Sequence, residues 1–103
     1  MEISMSVKQI LKILTCWGAT PSQTELIFPE TDESEVEQRA EHITAIDECL
    51  QLLYRESSAQ KSFMNRASKS VFFNGREPLE VISSGKLDDL ARAHQVIRSM
   101  VCI

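Results

Sequence analysis

Residues 72–100 read FFNGREPLEVISSGKLDDLARAHQVIRSM, and this stretch decides the fold. Asn74-Gly75 is a favoured tight-turn dipeptide, because both residues accept the left-handed backbone such a turn requires. Pro78 opens a short helix, where the N–H that proline lacks would have had no intrahelical partner. Gly85 ends it. Asp88 is placed to cap a final helix, and Leu90, His94, Ile97 and Val101 fall on one face of it at helical spacing.

Upstream, SKSVFFNGRE is the one segment that reads as non-helical, which predicts an irregular loop near residues 68–77. Before it, a long helix is predicted over 34–55. Val36, Ala40, Ile43, Ile46, Leu50, Leu53 and Tyr54 recur there every three or four residues, opposite a face of acids and amides. Ser34 with Glu37 forms a candidate capping box for that helix, and Ser57 with Gln60 forms one for a short helix carrying Phe63 and Met64. At the start of the chain, Val7, Ile10, Leu11, Leu14 and Trp17 stripe a helix over 5–17 that Gly18 can end. Thr20, Pro21 and Gln23 then supply an N-cap, a first helical residue and a capping box for a second helix. That helix carries Leu26, Ile27 and Phe28 and stops before Pro29. The expected architecture is an all-α, compact, single-domain helical bundle of five to six helices.

The composition agrees. A chain of 103 residues is one domain by length, and 43% hydrophobic with 25% charged residues is ordinary for a soluble globular protein. The formal net charge of −4 is unevenly spread. Residues 25–56 hold ten acidic side chains against two arginines, a net of −8, and residues 57–103 carry a net of +3. The acidic middle repels phosphate backbones, and the basic end is too mild to argue for nucleic acid. Cys16, Cys49 and Cys102 have neither a close pair nor metal-ligand spacing and read as reduced thiols, which predicts a cytoplasmic protein. The N-terminal segment lacks the charged and apolar regions of a signal peptide, and no run reaches the length of a membrane span.

No catalytic constellation emerges. His42 and His94 each sit mid-helix with no partner spacing, and the plainer reading of each is a helix-face imidazole. The cysteines fall within helix patterns or at the end, where free thiols behave as small apolar residues. The acids Glu30, Asp32, Glu33, Glu35 and Glu37 lack the glycine bend and ligand alternation of a calcium loop. They suit instead the positive end of a helix dipole. Phosphate loops, nucleophile elbows and paired metal motifs are absent. The chain is therefore expected not to be an enzyme and to need no cofactor or metal.

Taken together, these segments resemble the Xre/MbcA/ParS antitoxin family. ILKILTCWGATPSQTELIF (residues 10–28) is similar to the family's opening helices, and ITAIDECLQLLYRESSAQKSFMNRAS (residues 43–68) to its long helix and the short one after it. Phe73, Gly75, Pro78, Leu79 and Gly85 match the loop, turn and glycine of its toxin-binding part. By this resemblance residues 1–56 correspond to a degenerate helix-turn-helix region and residues 57–103 to the toxin-binding part. The stretch PETDESEVEQRAE (residues 29–41) stands where a recognition helix would need basic and polar side chains, so DNA binding by the chain alone is not expected.

The resemblance implies an antitoxin-like partner for a RES-type protein toxin, an NAD-consuming or ADP-ribosylating enzyme whose NAD pocket the antitoxin covers. It carries over Phe73, Asn74, Gly75, Arg76, Glu77, Pro78 and Leu79 as partner-binding residues. Arg76 would be the anchor, since guanidinium forks pair with carboxylates at two points. Met100 and Ile103 are candidate apolar contacts. The plainer account has Phe72, Phe73, Pro78 and Leu79 packing the last two helices onto the core, with Asn74-Gly75 a turn and no more. A DNA-binding repressor and an orphan interaction module are the competing classes. The striped long helix can bury its face internally or against a second copy, so a homodimer is also an expectation.

Overall fold

The computed structural model describes residues 2–29, 32–67 and 73–101, with side chains from Val7 onward. Phe72, Cys102, Ile103, Glu30 and the first half of the 68–77 loop lie outside the described residues. Within them the chain is all-α: α1 Glu2–Cys16, α2 Pro21–Ile27, α3 Glu33–Leu53, α4 Ser57–Met64, α5 Pro78–Ile82 and α6 Leu87–Val101. The radius of gyration, 12.7 Å, matches the about 13 Å of a folded domain this long.

Helix α3 is the spine. Its buried Ile43, Ile46 and Leu50 repeat the spacing of Leu90, Ala93 and Ile97 on α6, and these two helices share the most extensive contact. Of the α3 face predicted from sequence, Ile43, Ile46 and Leu50 are buried, Val36, Ala40 and Leu53 are half-buried, and Tyr54, just past the helix end, is 37% exposed. Helix α1 packs on α3 with Ile10 and Leu14 in the core and Trp17 joining them just past its end, and Leu11 is left at the edge, 40% exposed. Leu79, Val81 and Ile82 of α5 pack toward α6, and Met64 of α4 completes the core.

The starts of the helices follow side-chain chemistry, with three revisions. Thr20 caps α2 as predicted: its Oγ1 accepts from Gln23 N at 3.1 Å, and Gln23 Oε1 accepts from Thr20 N at 3.0 Å. For α3 the cap is Asp32, whose Oδ1 accepts from Glu35 N at 2.9 Å. Ser34 is already inside the helix, because a carboxylate two residues earlier offers the stronger acceptor at the positive helix end. Glu56, not Ser57, is the N-cap residue of α4. Gln60 is buried and donates Nε2 to Tyr54 O at 3.0 Å, a carbonyl left over at the end of α3. Helix α6 begins at Leu87 with Asp88 and Asp89 in its first turn, while Ser84 Oγ accepts from Lys86 N at 3.2 Å and donates to Asp89 Oδ2 at 2.6 Å.

Buried Arg39 joins three segments. Its Nη1 donates to Ile27 O at 3.1 Å, its Nη2 to Gly85 O at 2.7 Å and its Nε to Glu35 Oε2 at 2.9 Å. One side chain thereby ties the end of α2 and the α5–α6 turn to α3.

Candidate partner-binding site

The segment from Phe73 to Leu79 is a short exposed turn held between two buried anchors. Phe73 is fully buried, Pro78 is buried, and Leu79 is 2% exposed. Between them Asn74, Gly75, Arg76 and Glu77 are all exposed. Arg76 N donates to Phe73 O at 2.9 Å, and the two residues enclosed have φ of +51° at Asn74 and +81° at Gly75. Positive φ at both positions is the pattern that Asn-Gly favours. Arg76 Nε also donates to Phe73 O, at 3.1 Å, which holds the stem of the side chain against the turn. Glu77 makes no side-chain cap to α5, and Pro78 occupies the first helical position.

The candidate set therefore divides. Phe73, Pro78 and Leu79 position the turn and present no surface of their own, because the core takes up their apolar area. Asn74, Gly75, Arg76 and Glu77 form the surface. Met100 is half-buried near the end of α6.

Apart from this turn, a concave surface lies between α1 and α3. It is a groove of about 520 Å³ with a floor of Val7, Ile10, Phe28, Val36 and Ala40 and an acidic rim of Glu37, Glu41 and Glu48. It places part of the −8 charge of residues 25–56 beside exposed apolar area.

The histidines behave differently from their sequence reading. His42 on α3 and His94 on α6 meet edge to face, with Nδ1 atoms 3.0 Å apart and ring centroids separated by 5.2 Å. Burial, then the neighbouring His42, then Arg98 hold His94 below the ordinary histidine range. On α3, burial pushes the Asp47 carboxyl above its usual range, against a hydrogen bond from Gln51 and with help from Glu48. Cys16 is exposed and Cys49 half-buried, and neither forms a disulfide among the described residues. Among the described residues no three His, Cys, Asp or Glu side chains converge as a metal cage, and no helix is long and apolar enough to cross a membrane.

Sequence reasoning missed Arg39, the His42–His94 pair and the groove. Arg39 reads as one charge on an acidic face, and the histidines are 52 residues apart, so nothing local announces either. No protein-family model, curated protein or solved structure matches the chain.

Proposed function

We propose that this protein is an antitoxin-like interaction module that neutralises a RES-type, NAD-consuming or ADP-ribosylating toxin by covering its NAD pocket. The observation that supports the reading most is the turn at Asn74–Glu77. It is exposed and charged, closed by its own backbone hydrogen bond, and seated on buried Phe73 and Leu79. A turn already ordered in the free protein loses little conformational freedom on docking. Arg76 at its end offers a planar donor fork suited to carboxylates, and arginine is enriched among the residues that dominate interface energetics. The toxin class comes from the resemblance of nearly the whole chain, residues 29–41 apart, to the Xre/MbcA/ParS family.

Residues 32–41 run into α3, and Glu33, Glu37 and Glu41 on them are exposed. An acidic helix start suits a protein partner better than a phosphate backbone. Among the competing readings, the orphan interaction module draws support from the acidic groove between α1 and α3, a surface that the toxin reading does not use.

The test is a pull-down of the tagged chain from its source cells, with mass spectrometry of the eluate and an NAD-hydrolysis assay. A near-stoichiometric NAD-consuming enzyme, silenced in the complex and released active, is the expected result. Arg76→Glu should weaken that complex while the melting temperature stays within a few degrees of wild type. An eluate without such an enzyme leaves the antitoxin reading without a target and favours the orphan module.

A further inference from the structure

The acids on the rim of the α1–α3 groove fall in one row. Glu37, Glu41 and Glu48 stand four and then seven positions apart on α3, a spacing that returns to the same helix face, and all three are exposed. At 1.5 Å per residue the row is about 16 Å long. Among the described residues no Lys or Arg lines the groove, and none pairs with these acids. Arg39, the only Lys or Arg on α3, is engaged by Glu35, Ile27 O and Gly85 O instead. Beside the row, half-buried Val7, Phe28, Val36 and Ala40 leave apolar area open to solvent. An adjoining hollow shares Val7, Phe28 and Val36 and extends that area to exposed Leu11.

We propose that this groove docks a cationic amphipathic helix of a partner protein. Its aliphatic side chains fill the apolar floor, as helix-in-groove recognition does through anchors one helical turn apart. Its Lys or Arg side chains meet the acidic row. A docked helix lying along α3 repeats with the same period as α3, so cations four and seven positions apart match the three acids one for one. The charge complementarity fixes register and sign. A small organic cation reaches one or two of the carboxylates, whereas three turns of helix reach all of them. A second copy docking groove to groove would set acid against acid, which like-charge repulsion opposes. The turn at Asn74–Glu77 contributes no residue to the groove, so this contact is independent of the toxin reading.

The test is fluorescence anisotropy of a labelled synthetic peptide titrated with the full chain. The peptide carries leucines on one helix face and lysines along its edge at i, i+4, i+7 and i+11, a pattern that serves either chain direction. One peptide should bind per chain, and more weakly as salt rises. A peptide of the same composition with its lysines scattered around the helix should bind about tenfold more weakly, the effect of losing three exposed ion pairs. Glu37→Lys, Glu41→Lys and Glu48→Lys together should weaken the lysine peptide and confer binding of its glutamate counterpart, a gain that a misfolded variant cannot show. In the unmutated chain, backbone NMR shifts caused by the lysine peptide should centre on Val7, Phe28, Val36 and Ala40. Equal affinity for the two lysine peptides, shifts centred elsewhere, or undiminished binding of the lysine peptide by the triple variant would overturn the proposal. So would self-association of the chain that the peptide reverses, which would make a second copy the occupant.

Discussion

The guanidinium of buried Arg39, 4% exposed, reaches two carbonyls far off in the chain. Arg39→Ala strands Ile27 O and Gly85 O, and a buried acceptor left without its donor costs about 1–3 kcal/mol. The expected loss is about 3 kcal/mol, read from urea unfolding followed by the fluorescence of Trp17, the only tryptophan. Glu35→Gln should lose less than about 1 kcal/mol, since Glu35 is 35% exposed and a partly solvated ion pair is weak. Near-equal losses in the two variants would contradict the carbonyl-bridging role. His94 carries a pH dependence. Its folded pKa lies below the ordinary 6.5, so the unfolded chain takes up the proton first. That contribution to stability is full above about pH 6.5 and drains away as the pH falls toward the lowered folded value. The drop in urea midpoint between pH 7.5 and 5.5 should shrink in His94→Gln. Asp47 has the opposite sign: its raised pKa means that ionisation is disfavoured in the fold, a penalty that grows as pH rises through the carboxylate range. Asp47→Asn should therefore stabilise the protein at pH 7 by up to about 0.5 kcal/mol, and it keeps an acceptor for Gln51.

At the scale of elements, short helices are the vulnerable parts, because seven residues in α2 and five in α5 cannot hold helical structure without caps and packing. Thr20→Ala removes one half of the box that starts α2 and should cost about 1 kcal/mol in unfolding free energy. Ahead of α5, Gly75 has open space where a Cβ would stand, so only its φ of +81° resists substitution. Gly75→Ala should destabilise by about 1–2 kcal/mol, while Gly75→Asn, which tolerates left-handed backbone, should lose less. Equal losses would place the strain in a contact rather than in the backbone. The same comparison bears on function, because a turn loosened by alanine should bind a partner more weakly even where Arg76 is intact.

Across the molecule, charge separates by sign: acids gather on the exposed sides of α3 near the α1 groove, and the net-positive residues 57–103 supply the turn at Asn74–Glu77. The purified chain should fail to retard a fragment of its own promoter at any salt concentration. A shift that weakens steeply with salt would reveal phosphate contacts and revive the repressor class.

The helical class and its punctuation were legible in the residues themselves. Thr20-Pro21-x-Gln23, the break at Pro29, the Asn74-Gly75 turn and the start at Pro78 act through backbone chemistry within a few positions, and all four stand as read. The stripe Ile43, Ile46, Leu50 was equally plain, because helical periodicity is a property of the chain alone. What lay across the stripe was not. Arg39 reaches carbonyls 12 and 46 positions away, and His42 meets His94 only because α6 lies along α3. For the seven loop candidates, sequence placed the turn, but packing alone separated buried Phe73, Pro78 and Leu79 from exposed Asn74, Gly75, Arg76 and Glu77. Local chemistry sets where elements begin and end; which faces meet, and hence which groups share protons or lose water, is set by contacts between residues far apart in the chain.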